Sequence, residues 1–215
     1  MNSTRIGILA VQGDFEAHAR VLDRLDVKYQ LVRTPQQAFE VDAMILPGGE
    51  STTMLKFLDE EGLAAPLRDL ESRGGAFFAT CAGAILLARE VRCPPQASLG
   101  FADLVVARNA YGRQLSSEIR TGLSTLKPEP IEMVFIRSPV IEAVGPQVEV
   151  LASDRGSPVL VRQGKLLIAT FHPELSADTA VHEYFLKLVA APGLAAVPSR
   201  AWVASPVPAK SSLSF

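Results

Sequence analysis

Cysteine is scarce in this 215-residue sequence, limited to Cys81 and Cys93. The two make neither a CxxC pair nor a disulfide framework, so a reducing cytoplasm is the simplest setting. A basic excess is also lacking. Lys and Arg number 21 against 23 Asp and Glu, for a net charge of -2. No basic stretch interleaves with aromatics, which removes nucleic acid from the expected partners. Long apolar runs are missing as well. The longest, around Ala76 to Ala88, is too short and too rich in Gly and Ala to span a bilayer. Met1 to Arg5 leads straight into a strand-like segment without the apolar core of a signal peptide. Neither a membrane nor a leader is therefore expected. The glycines of Pro47-Gly48-Gly49-Glu50-Ser51 fit neither a Walker A sequence nor GxGxxG, and no metal or cofactor is expected.

What is present is apolar content of 48%, enough at this length for one domain with a sizeable core. We read that domain over residues 1–191. Residues 192–215 are Ala/Pro/Ser-rich without periodicity and read as a disordered tail. Arg5 to Gln12, Tyr29 to Val32, Ala43 to Leu46 and Ala76 to Thr80 read as short strands. Helices fall between them: one capped by Asp14 with Phe15, Ala19, Leu22 and Leu25 at helical spacing, one capped by Ser51 or Thr52 and ending near Gly62, and one from Pro66 to Arg73. Alternation of this kind predicts a doubly wound, mostly parallel sheet with helices on both faces. Further strand-like segments follow at Leu104 to Arg108, Gln114 to Arg120, Ile131 to Ile136, Val148 to Ala152, Pro158 to Arg162 and Leu166 to Phe171. The last two flank a Gln163-Gly164 hairpin turn. They predict a small antiparallel extension. Asp178 is then expected to cap a last amphipathic helix carrying Val181, Tyr184, Phe185 and Leu188.

Three places along this plan carry chemistry. Strand Ala76 to Thr80 runs into a helix predicted over Ala84 to Arg89 through Cys81, Ala82 and Gly83. Small residues at such a junction make a sharp elbow, which lifts the middle side chain above the sheet and turns backbone N–H groups toward it. Cys81 is the candidate nucleophile; a small buried core residue is the competing reading. His172 and Glu174 follow a strand and share a face on an extended chain, as a base and its orienting acid must. A surface ion pair is the alternative. Gly48-Gly49 ends a third strand and exposes backbone N–H groups, although a plain turn explains the glycines equally well. In a doubly wound sheet all three places fall on the one edge where ligands bind. That coincidence favours catalysis. His18, His182 and the Glu60-Glu61 pair are read as solvated, and Cys93 as a loop residue.

Pro47-Gly48-Gly49-Glu50-Ser51-Thr52-Thr53, Thr80-Cys81-Ala82-Gly83 and Phe171-His172-Pro173-Glu174 resemble the class I, triad-type glutamine amidotransferases. Val11-Gln12-Gly13, Arg108 to Gln114 and Val134 to Pro139 narrow the resemblance to the glutaminase subunits of pyridoxal 5'-phosphate synthases. The likeness runs from about Arg5 to Val189. It implies a flavodoxin-like fold and hydrolysis of L-glutamine to glutamate and ammonia through a glutamyl thioester. Cys81 would attack, His172 would act as base and then acid, and Glu174 would hold His172. Gly49 and Ala82 would supply the oxyanion hole. Gly49, Glu50, Ser51, Arg108, Ile136 and Arg137 would hold glutamine, with an Arg pairing its α-carboxylate. The resemblance further implies a synthase partner, a dodecameric core carrying up to one glutaminase per subunit, to which ammonia passes. Gln12 and Glu50, at neighbouring strand ends, are candidates for coupling partner docking to the oxyanion loop. Competing assignments are a glutaminase serving histidine or purine synthesis, a cysteine peptidase, and a catalytically silent regulatory subunit. One departure from the family pattern is Ala79, where a glycine is usual.

Overall fold

The computed structural model describes residues 4–108 and 117–191. The tail at 192–215, and the Asn109 to Gln114 part of the arginine-bearing stretch, lie outside the described residues. In chain order the elements are β1 (Ile6–Leu9), α1 (Phe15–Arg24), β2 (Tyr29–Val32), α2 (Pro35–Phe39), β3 (Ala43–Leu46), α3 (Ser51–Glu60), α4 (Ala64–Ser72), β4 (Ala76–Thr80) and α5 (Ala82–Leu87). There follow β5 (Ala88–Arg92), β6 (Ala102–Ala107), β7 (Glu118–Gly122), β8 (Ile131–Phe135), β9 (Val140–Val144), β10 (Glu149–Asp154), β11 (Ser157–Gln163), β12 (Leu166–Ala169), a 3-10 turn (Pro173–Leu175) and α6 (Ala180–Ala190).

The central sheet has the order β10-β11-β12-β4-β3-β1-β2. From β12 to β2 all pairs are parallel, while β10, β11 and β12 are joined antiparallel. The parallel part therefore follows the flavodoxin-like doubly wound order, with the antiparallel extension at one edge as expected. Its inner strands β12, β4, β3 and β1 are buried on both faces because their side chains alternate between two cores. Leu9, Met44, Leu46, Phe77 and Ala79 face one core together with Leu58 of α3, Leu67 of α4 and Leu86 of α5. Ile6, Ile8, Ile45, Ala76 and Phe78 face the other, with Leu22 of α1 and Phe185 of α6. A mixed sheet of β5, β6 and β9 and a β7-β8 ribbon complete the architecture.

Several local expectations give way to tertiary context. The Thr34-Pro35 end of β2 opens a short helix, α2, closed by a capping box between Thr34 and Gln37. The elbow helix starts two residues earlier than its helix formers suggest and stops at Leu87, because Ala88–Arg92 pairs with β6. Neither Ser51 nor Thr52 caps α3; Glu50 does, its carboxylate accepting from the Thr52 and Thr53 amides. Asp14 occupies the N-cap of α1 but makes no side-chain cap bond. Asp178 does accept from the Ala180 amide, one residue outside the N-cap Thr179 of α6. Ala79 is an ordinary buried residue inside β4, paired with Leu46 and Ile168, so its methyl meets no forbidden backbone.

The elbow itself depends on close packing of α5 against the end of β3. A Cβ at Gly83 would stand 2.3 Å from the Leu46 carbonyl oxygen, so only glycine lets the helix start this near its neighbouring strand. Gly83→Ala is expected to cost roughly 1–3 kcal/mol by overpacking. At about 2–4 °C per kcal/mol for a chain of this length, the melting temperature should fall by roughly 2–12 °C. Thermal unfolding followed by circular dichroism checks it; an unchanged melting temperature would contradict the packing argument.

Candidate active site

The carboxyl ends of β12, β4, β3 and β1 are adjacent, and each delivers part of one site. β4 ends at Cys81, whose backbone takes φ 46° and ψ -100°. A non-glycine residue is seldom held there, and such strain gathers at functional elbows. The Cys81 amide donates to the Ala169 carbonyl of β12, which anchors the turn. Its sulfur is almost buried and lies 3.8 Å from the Ile136 carbonyl oxygen.

His172 follows β12 and is fixed by its backbone amide, which donates to the Val134 carbonyl of β8. Its Nδ1 lies 2.8 Å from Glu174 Oε1. The pair meets through the 3-10 turn that begins at Pro173, so the shared face expected of an extended chain is replaced by a tight turn. Burial opposes a charge on His172. Hydrogen bonds to the Cys81 sulfur and to Glu174, and the charges of both, overcome it and raise its pKa to about 10. Burial likewise opposes the Glu174 carboxylate, but the facing imidazoles of His18 and His172 hold its carboxyl below the ordinary range. A thiol, an imidazole biased toward its charged form and a buried carboxylate stand in series. Such a series can activate sulfur for attack on a carbonyl and return a proton to a leaving amine.

The Gly48-Gly49 turn packs directly on this series. A Cβ at Gly48 would stand 2.3 Å from His172 Cε1, so the glycine is required by the imidazole's position. The turn is tied to the loop after β1, where Asp14 N–H donates to the Gly48 carbonyl and Glu50 N–H to Gln12 Oε1. Asp14 Oδ2 reaches within 3.6 Å of His172 Nδ1. Asp14, His172 and Glu174 each offer one donor atom within 4.8 Å of the others, the spacing of a metal cluster. Two of the three donors are already spent on the His172–Glu174 bond. A cation would have to displace it.

The residues assigned to glutamine divide into two groups. Gly49, Ala82 and Ile136 belong to the segments that surround the Cys81–His172 pair. Arg108 stands at the α3 N-terminus, its Nη2 donating to Thr52 Oγ1 at 2.9 Å and lying 3.6 Å from Glu50 Oε1. Ser51 is buried and donates to Gln96 Oε1. Arg137 is exposed at φ 46°, with no ion-pair partner among the described residues.

Two corrections concern histidines. His18 and His182, read from the sequence as solvated, are both 0% exposed. His18 Nε2 lies 3.1 Å from Thr80 Oγ1 and 3.6 Å from Glu174 Oε1, and its Nδ1 lies 3.0 Å from His182 Nε2. The signal was present: His18 falls within the Phe15, Ala19, Leu22 stripe, and His182 stands beside Val181 and three residues before Phe185.

The charge of Glu50 is held chiefly by local hydrogen bonds. Although burial opposes it, donors from the Thr53 and Thr52 amides and hydroxyls lower its pKa to about 2. A depressed carboxyl contributes stability above its unfolded pKa of 4.5, and that contribution is lost as pH falls through 2. Its side chain is 53% exposed, so solvent screening keeps the contribution small. Glu50→Gln should therefore be less stable than the unaltered chain at pH 7. The gap should narrow steadily as pH falls from 4.5 toward 2, measured by urea unfolding at stepped pH.

Residues 8–191 match the SNO glutamine amidotransferase family. The chain is 52% identical over 185 residues to the pyridoxal 5'-phosphate synthase subunit PdxT of Koribacter versatilis, covering 86% of this chain and 95% of that protein. It is 45% identical over 186 residues to the PdxT subunit of Thermotoga neapolitana, covering 86% and 99%. A solved structure described as a glutamine amidotransferase superposes with a TM-score of 0.81 at 44% identity, over 86% of this chain and 99% of that one. On sequence and fold together, the chain belongs to the SNO glutamine amidotransferase family.

Proposed function

We propose that the chain is the glutaminase subunit of a pyridoxal 5'-phosphate synthase, hydrolysing L-glutamine to glutamate and ammonia. The observation that carries the chemistry is the series Cys81–His172–Glu174 at adjacent strand ends, with His172 raised to about 10 by its two partners. Membership of the family and the similarity to PdxT subunits support the pathway.

In this reading the Cys81 thiol proton passes to His172 and the sulfur attacks the side-chain amide carbon of glutamine. The tetrahedral oxyanion is met by the backbone N–H groups of Gly49 and Ala82; Ala82 is the first residue of α5, so its amide has no partner inside the helix. The His172 imidazolium gives its proton to the departing nitrogen, and ammonia leaves. Neutral His172 then takes a proton from water as it attacks the γ-glutamyl thioester, and glutamate and the thiol are released. Glu174 keeps Nδ1–H pointed at itself throughout, so that Nε2 serves the reaction. Arg108 and Arg137 are the cations available for the α-carboxylate. Glu50, Ser51 and Ile136 frame the rest of the amino acid, with Glu50 acting through its backbone and through its hold on Arg108.

Ammonia is a poor product to release into water, and its use requires a second protein. We assign that role to a synthase subunit, arranged as a dodecameric core carrying up to one glutaminase per subunit. The setting is cytoplasmic, which suits two unpaired cysteines. Among the described residues no helix is long and apolar enough to cross a membrane.

Glutamate release with and without the synthase subunit tests the assignment. Stimulated hydrolysis that disappears in Cys81→Ala and His172→Ala is expected; retained activity in Cys81→Ala would sink the triad. The alkaline limb of kcat/KM, which reports the free enzyme, should lie near pH 10. The same raised pKa means that the ion pair's contribution to stability is complete below pH 6.5 and lost as pH rises through about 10.

Gln12 carries a narrower expectation. Its Oε1 accepts from the Glu50 amide and so grips the turn containing Gly49. Gln12→Ala should keep its fold yet lose most of the partner's stimulation; full stimulation would separate Gln12 from the oxyanion turn.

A further inference from the structure

Behind Glu174 a polar chain runs into the interior between α1, β4 and α6. Its members are Thr80, His18 and His182, packed against Phe78. The proton positions along it follow from the first link. Glu174 as a carboxylate only accepts, so the Thr80 hydroxyl, 3.3 Å from Oε1, must donate its single proton there. The contact between Thr80 Oγ1 and His18 Nε2 then requires His18 to donate. His18 is buried, and burial pushes its pKa down despite the pull of Glu174, with His172 opposing and Asp14 assisting the charge. Neutral His18 carrying Nε2–H has a bare Nδ1, which must accept from His182 Nε2–H. His182 faces His18 and Arg24, and burial pushes it down as well. Its Nδ1 has no partner among the described residues. A bare lone pair there is the cheaper arrangement, because a buried N–H is rarely left unpaired. A charged His18 would reverse this link and orphan an N–H on His182.

We propose that His18, backed by His182, is a positioning residue for the reaction: its Nε2–H occupies the Thr80 oxygen and so commits the Thr80 hydroxyl proton to Glu174 Oε1, the same oxygen that receives His172 Nδ1–H. The proposal rests on the triad assigned above. Without His18 the hydroxyl is free to rotate and Glu174 Oε1 loses its second donor, while the buried carboxylate keeps only His172 to orient it. The effect is expected on the reaction and not on glutamine binding, since none of Thr80, His18 and His182 is among the residues assigned to glutamine.

The test is steady-state glutamate release with the synthase subunit in excess, together with melting temperatures. His18→Leu should lower kcat at least about tenfold, the lower end of the worth of a hydrogen bond to a charged group, with KM changed less than twofold. The alkaline limb should move to higher pH, because an ionised Glu174 relieved of a competing donor on Oε1 holds the His172 proton more tightly; that ring faces Cys81, Glu174 and Asp14, none of which is altered. His18→Gln, which retains an N–H donor, should recover most of kcat. Thr80→Val, equal in size, should reproduce the loss, and His18→Leu added to it should cost little more. An unchanged kcat and alkaline limb in His18→Leu would overturn the proposal. So would equal losses in the Leu and Gln variants that track melting temperature, or losses in the double variant that simply multiply. Activity in Cys81→Ala would instead remove the triad reading itself, an outcome that the His18 variants do not produce.

Discussion

A carboxylate taken out of water must be met by donors or it gives up its charge. Glu174 is fully buried behind β12, and the surroundings of the site can be understood as the answer to that demand. His172 donates from one side and Thr80 from another, both to Oε1. The demand also explains the otherwise awkward placement of two imidazoles in an apolar layer with Phe78 and Phe185. They are not core residues that happen to be polar. Each is there because the next member of the chain needs its hydrogen bond, and the chain ends where a lone pair can be left bare at least cost.

Position, rather than charge, is supplied by the sheet. In the order β12-β4-β3-β1 each neighbour contributes its terminal loop, so residues far apart in sequence arrive at one edge without any loop having to reach. The loops are short and locked to each other. Cys81 is bound through its amide to β12, His172 through its amide to β8, and the Gly48-Gly49 turn to the loop after β1. That cross-bracing holds Cys81 in a backbone conformation it would otherwise leave. It also explains why glycine stands where it does. Gly48 makes room for an imidazole and Gly83 for a carbonyl, so both are fixed by neighbours that belong to other strands.

This division accounts for what could be read in the sequence. Cys81, His172 and the glycine turn were legible because each sits at the end of an apolar run, and strand ends of a doubly wound sheet share an edge. Helices on both faces were legible from the strand-helix alternation, whereas the division of Met44, Leu46, Phe77 and Ala79 from Ile45, Ala76 and Phe78 between two cores emerges only from the structure. His18 and His182 were not recognised, because a helical histidine beside Arg20 or Glu183 looks solvated until the partner across the sheet is known. Their only local signal was their position on an apolar stripe. The Glu50 cap was missed because Ser51 and Thr52 are better cap formers by type; the longer carboxylate wins here by taking both amides and both hydroxyls at once.

That cap ties the residues proposed for recognition to the proposed oxyanion turn by a physical route. Glu50 gives its carboxylate to Thr52 and Thr53, and Arg108 leans on the same Thr52 hydroxyl and the same carboxylate oxygen. The Glu50 amide, meanwhile, is held by Gln12 in the loop after β1. A single residue therefore joins the guanidinium available for substrate, the start of α3 and the turn that carries the proposed oxyanion donor. Any partner that gripped the loop after β1 in one of two arrangements would act on all three together. Such a device works only if the partner favours one arrangement over the other. The bond between Gln12 and the Glu50 amide is where that preference would enter, because it is the only side-chain bond from that loop to the Glu50 turn among the described residues.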